Sequence, residues 1–211
     1  GMPDGIFLTH AHWGHYTGIG LLGREAKGAN GVRVYAMPLL RKFIEENGPW
    51  SQLVELGNIA LTTLSAGKDV RPTPQLTVTP FRVPHRDEFS ETVGYRIQGP
   101  NKSALFIPDI DKWDKWDRDL RTEIESVEYA FIDGTFHDGE ELGHRDMSEV
   151  PHPFIVESLA LMKDWSAVER DKVYFIHLNH TNALLHLESE ESKNVALSGC
   201  HVARYGDRYP L

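Results

Sequence analysis

Three histidines in six residues follow the first apolar run of this 211-residue chain, and they limit what it can fold into more than any other feature. The run Ile6–Leu8 predicts a short buried strand. The histidines come directly after it, at His10, His12 and His15. Adjacent imidazoles pack poorly and repel one another when protonated, whereas neutral imidazole is a preferred ligand of Zn²⁺ and related metals. The pattern therefore predicts a metal site where a strand runs out into a loop.

The apolar pattern along the rest of the chain predicts alternating strands and helices around a strand-rich middle. Predicted strands cover Val32–Tyr35, Ile59–Leu64, Leu76–Val83, Gly94–Ile97, Ser103–Ile107, Tyr129–Asp133, Lys172–His177 and His201–Arg204. Predicted helices cover Gly18–Glu25, a segment opened by Pro38, Trp116–Glu125, Phe154–Lys163 and Ser189–Leu197. No linker or internal repeat divides the chain. We therefore expect one α/β domain over residues 1–211, with a two-layer β core and helices outside.

Polar side chains follow several more of the predicted strands, at the point where each strand ends. These residues are His85, Asp109, Asp133 and His177. Strand ends can converge on one edge of a β core, and a carboxylate among imidazoles can bridge two ions. Together with the first three histidines, they predict a site for one or two divalent transition-metal ions. Zn²⁺ is favoured, with Fe, Mn and Ni as alternatives.

The segment from His10 to His15 resembles the His-x-His-x-Asp-His signature of the metallo-β-lactamase superfamily. The later landmarks follow in the order that the superfamily uses, with His85, then Asp109, then His177. Within the superfamily, the chain is most similar to the branch that holds ribonuclease Z, the phosphonate-pathway phosphodiesterases and the pyrroloquinoline-quinone synthesis protein B. The segments that carry this likeness are Val83–His85 with Gly94–Ile97, Phe131–Phe136, and Phe175–Asn182, the last resembling a Phe-Ile-His-x-Asn-Asn-Thr-Asn motif.

The resemblance implies a four-layer αββα sandwich with a site at one rim of two facing sheets. The implied ligands are His10, His12, His85 and Asp109 for one ion, and His15, Asp109 and His177 for a second. It also implies that water activated by the ions attacks the substrate. In the ribonuclease Z branch a carboxylate and a histidine before a helix protonate the leaving group. Asp133 and His152 match those two places, although they could instead cap a turn and a helix.

The chain departs from the pattern in two places. Gly14 stands where the signature has an aspartate ligand, so the second ion loses a carboxylate unless His180 or water replaces it. Members of the superfamily also carry further strands before the histidine motif. We therefore expect an N-terminally truncated domain whose exposed edge is covered by a second copy of the chain in a homodimer.

Three other residues near the motifs are candidate pocket residues, namely Trp13, His180 and Asn182. Trp13 could equally pack in the core. His180 and Asn182 could equally hold a loop. The other histidines, His137, His144, His186 and His201, are expected in loops or on the surface.

Composition narrows the class of partner. The formal net charge is −9 and no basic stripe is visible, so a nucleic-acid substrate is disfavoured and a small-molecule substrate is expected. No apolar run approaches the roughly 18–20 residues that a membrane span needs. The single cysteine, Cys200, and the lack of a signal-peptide pattern favour the cytoplasm.

Three functions remain open from the sequence. The first is a metal-dependent hydrolase that acts on a small phosphodiester or another ester. The second is an iron-dependent oxygenase or an accessory protein of quinone-cofactor synthesis, because of the likeness around His177. The third is a degenerate fold that binds metal without catalysis, because of Gly14.

Overall fold

The computed structural model describes residues 1–143, 146 and 150–211, so His144 lies outside the described residues. The described strands form two sheets. The small sheet has three parallel strands in chain order, β1 (Gly5–Phe7), β2 (Val32–Ala36) and β3 (Ile59–Thr63). The large sheet has seven strands, β4 (Val70–Thr73), β5 (Leu76–Arg82), β6 (Val93–Gln98), β7 (Ser103–Ile107), β8 (Tyr129–Asp133), β9 (Val173–Ile176) and β10 (His201–Val202).

The order across the large sheet is β10-β9-β8-β7-β6-β5-β4. Pairing is antiparallel from β4 to β7 and parallel from β7 to β10. Because β5 and β7 are both antiparallel to β6, they run in the same direction as β8 and β9. The carboxyl ends of these four strands therefore meet at one edge of the sheet.

Short helices connect the strands. The α-helices of the described part are α1 (Trp13–Tyr16), α2 (Pro38–Glu46), α3 (Trp50–Glu55), α4 (Leu120–Glu125), α5 (Ile155–Leu161), α6 (Ala167–Arg170) and α7 (Glu190–Leu197). Three-residue-per-turn helices cover Thr17–Leu22, Trp113–Lys115 and Ala183–Leu185. None of the helices in the described residues has the length and apolar character needed to cross a bilayer.

Apolar side chains fill three layers, one outside each sheet and one between the sheets. Outside the small sheet, α2 and α3 pack through Leu40, Ile44 and Leu53 on Val34. Between the sheets lie Tyr35, Leu64, Val78, Val93 and Tyr95. Outside the large sheet, α4, α5 and α7 pack through Ile124, Ile155 and Val195 on Leu105 and Ile132. The predicted four-layer αββα architecture is confirmed.

The predicted strands all form, with ends that shift by up to two residues, but two helix predictions are wrong. Gly18–Glu25 contains three glycines, which disfavour an α-helix, and the tighter helix Thr17–Leu22 forms instead. The predicted helix Trp116–Glu125 begins only at Leu120, because the Asp119 carboxylate caps it by accepting the Thr122 N–H at 2.8 Å. Strand β4 and helices α1, α3 and α6 were not predicted.

The end of β1 is fastened to the large sheet by aromatic and backbone contacts. The Phe7 ring stacks on Tyr35 of the neighbouring strand β2, with centroids 4.1 Å apart, and meets Tyr95 of β6 in the large sheet edge-on at 5.6 Å. The Tyr95 hydroxyl donates a hydrogen bond to the Leu8 carbonyl, and the Val93 N–H donates to the Thr9 carbonyl at 3.2 Å. These contacts set the position at which the chain leaves β1 and enters the histidine segment.

Gly94 on β6 leaves no room for a side chain. A Cβ atom there would lie 2.7 Å from Phe81 Cζ and 2.9 Å from the Phe106 carbonyl oxygen. We expect Gly94→Ala to lower the free energy of unfolding by about 1–3 kcal/mol, as overpacking does elsewhere. Urea denaturation measures this change. Gly18→Ala is the matched control, since a Cβ at Gly18 has no neighbour within 4 Å; an equal effect of both substitutions would contradict the steric explanation.

Candidate metal centre

Five strand ends bring polar side chains to the rim where the two sheets meet. His10 follows β1 of the small sheet, and His85, Asp109 and His177 follow β5, β7 and β9 of the large sheet. Asp133 is the last residue of β8. The side chains converge because β5, β7, β8 and β9 run in the same direction in the large sheet. The end of β1 contacts that sheet through Tyr95 and Val93, which brings His10 to the same rim.

The side chains form three overlapping groups in the described part of the chain, each with ligand atoms within 4.8 Å of one another. The first site consists of His10, His12, His85 and Asp109. The second site consists of His15, Asp109 and His177. The third group consists of Asp109, Asp133 and His152. Asp109 belongs to all three, so the groups form one continuous centre.

The first site has the spacing of a four-ligand metal site. His10 Nε2 lies 2.9 Å from His12 Nδ1 and 3.3 Å from Asp109 Oδ2, and His85 Nε2 lies 3.5 Å from Asp109 Oδ1. Neighbouring ligand atoms around a tetrahedral Zn²⁺ lie about 3.3 Å apart, given bonds of about 2.05 Å. Both ring nitrogens of His85 and Oδ1 of Asp109 are buried without a hydrogen-bond partner. Such atoms are costly to bury, and a bound cation would satisfy His85 Nε2 and Asp109 Oδ1, so the residues fit a metal ion.

The second site is more open and has fewer ligands. His15 Nε2 lies 3.0 Å from Asp109 Oδ2 and 3.1 Å from His177 Nε2. The side chains of His15 and His177 are 15% and 29% exposed, whereas that of His10 is 1% exposed. His177 also has a φ of 62°, the one positive φ outside glycine in the described residues. A backbone held in this sparsely populated region often marks a functional position.

The electrostatics of the centre favour neutral imidazoles around a charged carboxylate. Burial lowers the pKa of His85 to about 4, and burial also lowers the pKa of His10 and His177. Burial by itself would raise the pKa of Asp109, but hydrogen bonds from His10 and His15 hold it well below its usual range. Neutral imidazole and ionised carboxylate are the forms that bind a metal ion. The folded chain therefore keeps its candidate ligands in the form that binds a metal.

Asp133 and His152 form a hydrogen-bonded pair beside the centre. His152 Nδ1 lies 2.8 Å from Asp133 Oδ2 and 3.2 Å from Asp109 Oδ1. Burial opposes the charged form of His152, but the hydrogen bond and the negative charge of Asp133 raise its pKa. The Asp133 side chain is fully buried. The pair can therefore hold a proton on the imidazole near neutral pH.

An open cavity of about 510 Å³ lies against the second site. Its walls include Phe7, Gly14, His15, Phe106 and His177. A Cβ atom at Gly14 would have no neighbour within 4 Å, so the glycine leaves open space beside the second site. The cavity is large enough for a small substrate.

The three candidate pocket residues lie outside the walls of this cavity. Trp13 is 74% exposed and packs edge-on against Trp50, with centroids 6.3 Å apart. His180 is exposed and belongs to none of the three groups. Asn182 is 1% exposed, and its amide donates to the carbonyl oxygens of Gly134 and Thr135 at 2.9 and 3.1 Å. Asn182 therefore holds a turn rather than facing the cavity.

Three residues that sequence reasoning gave no role contact the candidate ligands. Thr9 Oγ1 lies 3.1 Å from His10 Nδ1, Glu88 Oε2 lies 2.8 Å from His12 Nε2, and Thr135 Oγ1 lies 2.8 Å from His177 Nδ1. Such contacts orient ligand rings and select the nitrogen that binds metal. Thr9 directly precedes His10, and Thr135 is the third residue of the Asp-Gly-Thr segment that begins at Asp133. Both residues could therefore have been found from the motifs, whereas nothing in the sequence marks Glu88.

The lowered pKa of His85 predicts that acid destabilises the metal-free protein. Between pH 6.5 and about 4 the unfolded chain binds a proton at this position and the folded chain does not. The free energy of unfolding should therefore fall as pH falls through this window, by about 3 kcal/mol from His85 alone. His10 and His177 act in the same direction. Urea denaturation of chelator-treated protein at several pH values measures the slope.

His85→Gln should reduce the pH dependence of the free energy of unfolding between pH 6.5 and about 4. The reduction should correspond to the uptake of about one proton fewer on unfolding. His201→Gln is the control, because His201 lies on the surface against Asp171 at 3.0 Å. An unchanged slope in His85→Gln would contradict the assignment of the acid sensitivity to His85.

The model of the beta-lactamase superfamily domain matches residues 2–178 of the chain. The coenzyme PQQ synthesis protein B of Methylobacterium radiotolerans is 30% identical over 223 residues, which cover 95% of this chain and 71% of that protein.

Several solved structures have a similar fold. Zn²⁺-bound PqqB from Methylobacterium extorquens superposes with a TM-score of 0.82 at 22% identity, covering 99% of this chain and 73% of that one. The short form of human tRNase Z superposes with a TM-score of 0.55 at 16% identity, covering 84% of this chain and 73% of that one. The chain belongs to the metallo-β-lactamase superfamily and is related within it to coenzyme PQQ synthesis protein B.

Proposed function

We propose that the protein is a metal-dependent hydrolase that acts on a phosphodiester or another ester of a small molecule. The observation that carries the proposal is the sharing of Asp109 by two ligand groups and by the Asp133–His152 pair. This arrangement places ligands for an electrophilic metal centre, which borders an open cavity, next to a candidate proton donor. Ester hydrolysis needs both, because an attacking water must be activated and a leaving oxygen must be protonated.

The donor set of the two sites is suited to Zn²⁺ and to other divalent transition metals. When bound, such ions supply Lewis acidity and lower the pKa of water toward neutrality. His10, His12, His85 and Asp109 would hold one ion, and His15, Asp109 and His177 would hold the other. Phe7 and Phe106 form apolar walls of the cavity and exclude part of the solvent from a substrate that lies against the second site.

The Asp133–His152 pair would deliver the proton to the leaving group. His152 donates its Nδ1 proton to Asp133 Oδ2 at 2.8 Å, so Nε2 is the atom that can release a proton. Asp133 fixes the ring, and its negative charge keeps the imidazole protonated at a higher pH. After the leaving group departs, the neutral imidazole regains a proton from solvent.

A second candidate function is a role in quinone-cofactor synthesis, either as an iron-dependent oxygenase or as an accessory protein. The 30% identity to a coenzyme PQQ synthesis protein B over 95% of the chain favours it. The absence of a carboxylate at Gly14 also favours a centre whose second ion binds weakly. The two functions differ in the metal that activity requires and in the consumption of O₂.

Hydrolysis by the metal-loaded protein tests the proposal, and His152→Gln tests the proton donor. We expect turnover of an aryl phosphodiester or an aryl ester in the presence of Zn²⁺ or Mn²⁺. His152→Gln should lower kcat by about 100-fold or more for an alkyl leaving group, which needs protonation. The loss should be much smaller for a nitrophenyl leaving group, which departs as an anion. Paired assays of both substrates measure the difference.

His201→Gln is the matched control, since it removes another histidine–carboxylate contact of 3.0 Å far from the centre. Equal losses for both leaving groups would contradict a proton-donor role. Absence of turnover with any ester would contradict the hydrolase proposal, and O₂ consumption by the iron-loaded protein would then favour the second function.

Gly14→Asp should strengthen the second site. The substitution adds a carboxylate beside His15 in open space, with no steric conflict at Cβ. We expect the affinity for a second Zn²⁺ to rise by about tenfold, equal to about 1.4 kcal/mol. Competition with a chromophoric chelator measures both binding constants. Gly14→Asn, which adds a similar volume without the charge, is the control, and identical effects of the two substitutions would contradict ligation by the new carboxylate.

A further inference from the structure

The Thr135 hydroxyl lies between the second site and the Asp133–His152 pair and contacts both. Its Oγ1 lies 2.6 Å from Asp133 Oδ1 and 2.8 Å from His177 Nδ1. Thr135 is 7% exposed, so water does not easily replace these contacts. The hydroxyl is therefore a physical link between a candidate metal ligand and the candidate proton donor.

The direction of each hydrogen bond follows from the donors around the Asp133 carboxylate, which can only accept. Oδ1 accepts from the Thr135 N–H at 2.8 Å, and Oδ2 accepts from the Ile110 N–H at 3.1 Å and from His152 at 2.8 Å. An ionised carboxylate only accepts, so the single proton of the Thr135 hydroxyl points to Asp133. The oxygen of Thr135 must then accept from His177, which places the proton of that ring on Nδ1.

This tautomer leaves the lone pair of His177 on Nε2. Nε2 is the atom that lies 3.1 Å from His15 Nε2 and 4.0 Å from Asp109 Oδ2, where the second site would hold an ion. Without the hydroxyl, the proton could occupy either nitrogen and the ring could turn. Metal ligation would then have to overcome the preference for the wrong tautomer.

The turn that carries Thr135 is itself held in place. The Gly134 N–H donates to the Ile176 carbonyl at 2.9 Å, and Asn182 binds the carbonyl oxygens of Gly134 and Thr135. A Cβ atom at Gly134 would lie 2.9 Å from Phe175 Cβ, so the turn approaches β9 as closely as glycine permits. The hydroxyl is thus placed beside His177 by backbone contacts that do not depend on a metal ion.

We propose that Thr135 is a positioning residue that fixes the Nδ1-protonated tautomer of His177 and so completes the second metal site. The proposal rests on the metal-binding part of the proposed function. His152 Nδ1 also lies 3.2 Å from the Thr135 hydroxyl oxygen, so the hydroxyl is in contact with Asp133, His152 and His177. Thr135 does not touch the substrate. It acts through His177, on which the second ion depends.

Thr135→Val and Thr135→Ser separate the hydroxyl from the shape of the side chain. Thr135→Val should weaken binding of the second Zn²⁺ by about 10–100-fold and leave the first ion unchanged, because contacts to a ligand ring commonly have effects of this size. Thr135→Ser should restore binding of the second ion. Chelator competition measures both constants. Nitrogen-15 NMR of the metal-free protein should show His177 protonated on Nδ1 in the wild type and in Thr135→Ser, and a tautomer mixture in Thr135→Val.

Thr122→Val is the matched control. Thr122 contacts Asp119 through N–H and hydroxyl at 2.8 and 2.7 Å, almost as Thr135 contacts Asp133, but it lies at the start of α4. We expect this control to leave both zinc constants unchanged. The proposal is overturned if Thr135→Val, shown to be folded by its Tm, binds the second ion as the wild type does, or if Thr135→Ser is as defective as Thr135→Val.

The NMR measurement distinguishes this failure from that of the proposed function. If the wild type binds no zinc, the hydrolase proposal fails. The tautomer of His177 in the three metal-free proteins would still decide whether Thr135 sets it. A wild-type ring protonated on Nε2 would overturn the proposal about Thr135 whatever the activity.

Discussion

The buried carboxylate of Asp109 is the constraint around which the site is built. Its side chain is 4% exposed, yet its low pKa keeps it ionised. A buried charge is stable only when other polar groups compensate it. Five imidazoles lie within 4.0 Å of its oxygens, namely His10, His15, His85, His152 and His177. These five histidines come from four separate segments of the chain, so the carboxylate can be accommodated only when both sheets and their loops are assembled.

The topology of the large sheet brings site residues that are distant in sequence close together in space. Strand β7, which leads into Asp109, is the middle strand of seven, and β8 and β9 run parallel beside it. Asp133 and His177 therefore emerge at the same edge. His85 reaches that edge because β5 runs in the same direction two places away. The small sheet adds the first histidines through β1, whose exit is held by Tyr95.

The sequence predicts those features of the fold that depend on short-range pattern. The strands form close to their predicted positions because apolar runs bounded by Gly, Pro and Asn have few alternatives. The predicted helix Trp116–Glu125 was wrong because a single side chain, Asp119, decides where the helix begins. The grouping of His10, His85, Asp109 and His177 was anticipated from their places at strand ends. The contact of Glu88 with His12 could not be, because the two residues lie 76 positions apart and a hydrogen bond across the fold has no local signature.

The two sites differ in their number of ligands and in their exposure, and this difference affects how tightly each would hold a metal ion. The first site has three imidazoles and a share of Asp109, and both ring nitrogens of His85 and Oδ1 of Asp109 are buried there without a hydrogen-bond partner. The second site has two imidazoles, shares the same carboxylate and lies open to the cavity. Since each ion must be balanced by the same Asp109 charge, filling the first site leaves less negative charge for the second, and Gly14 adds none. The hydrolase proposal therefore depends on whether the orientation of His15 and His177 compensates for the missing carboxylate. An ion held weakly there would be the one most exposed to substrate, and its ligands could yield to a substrate oxygen with little cost to the buried first site.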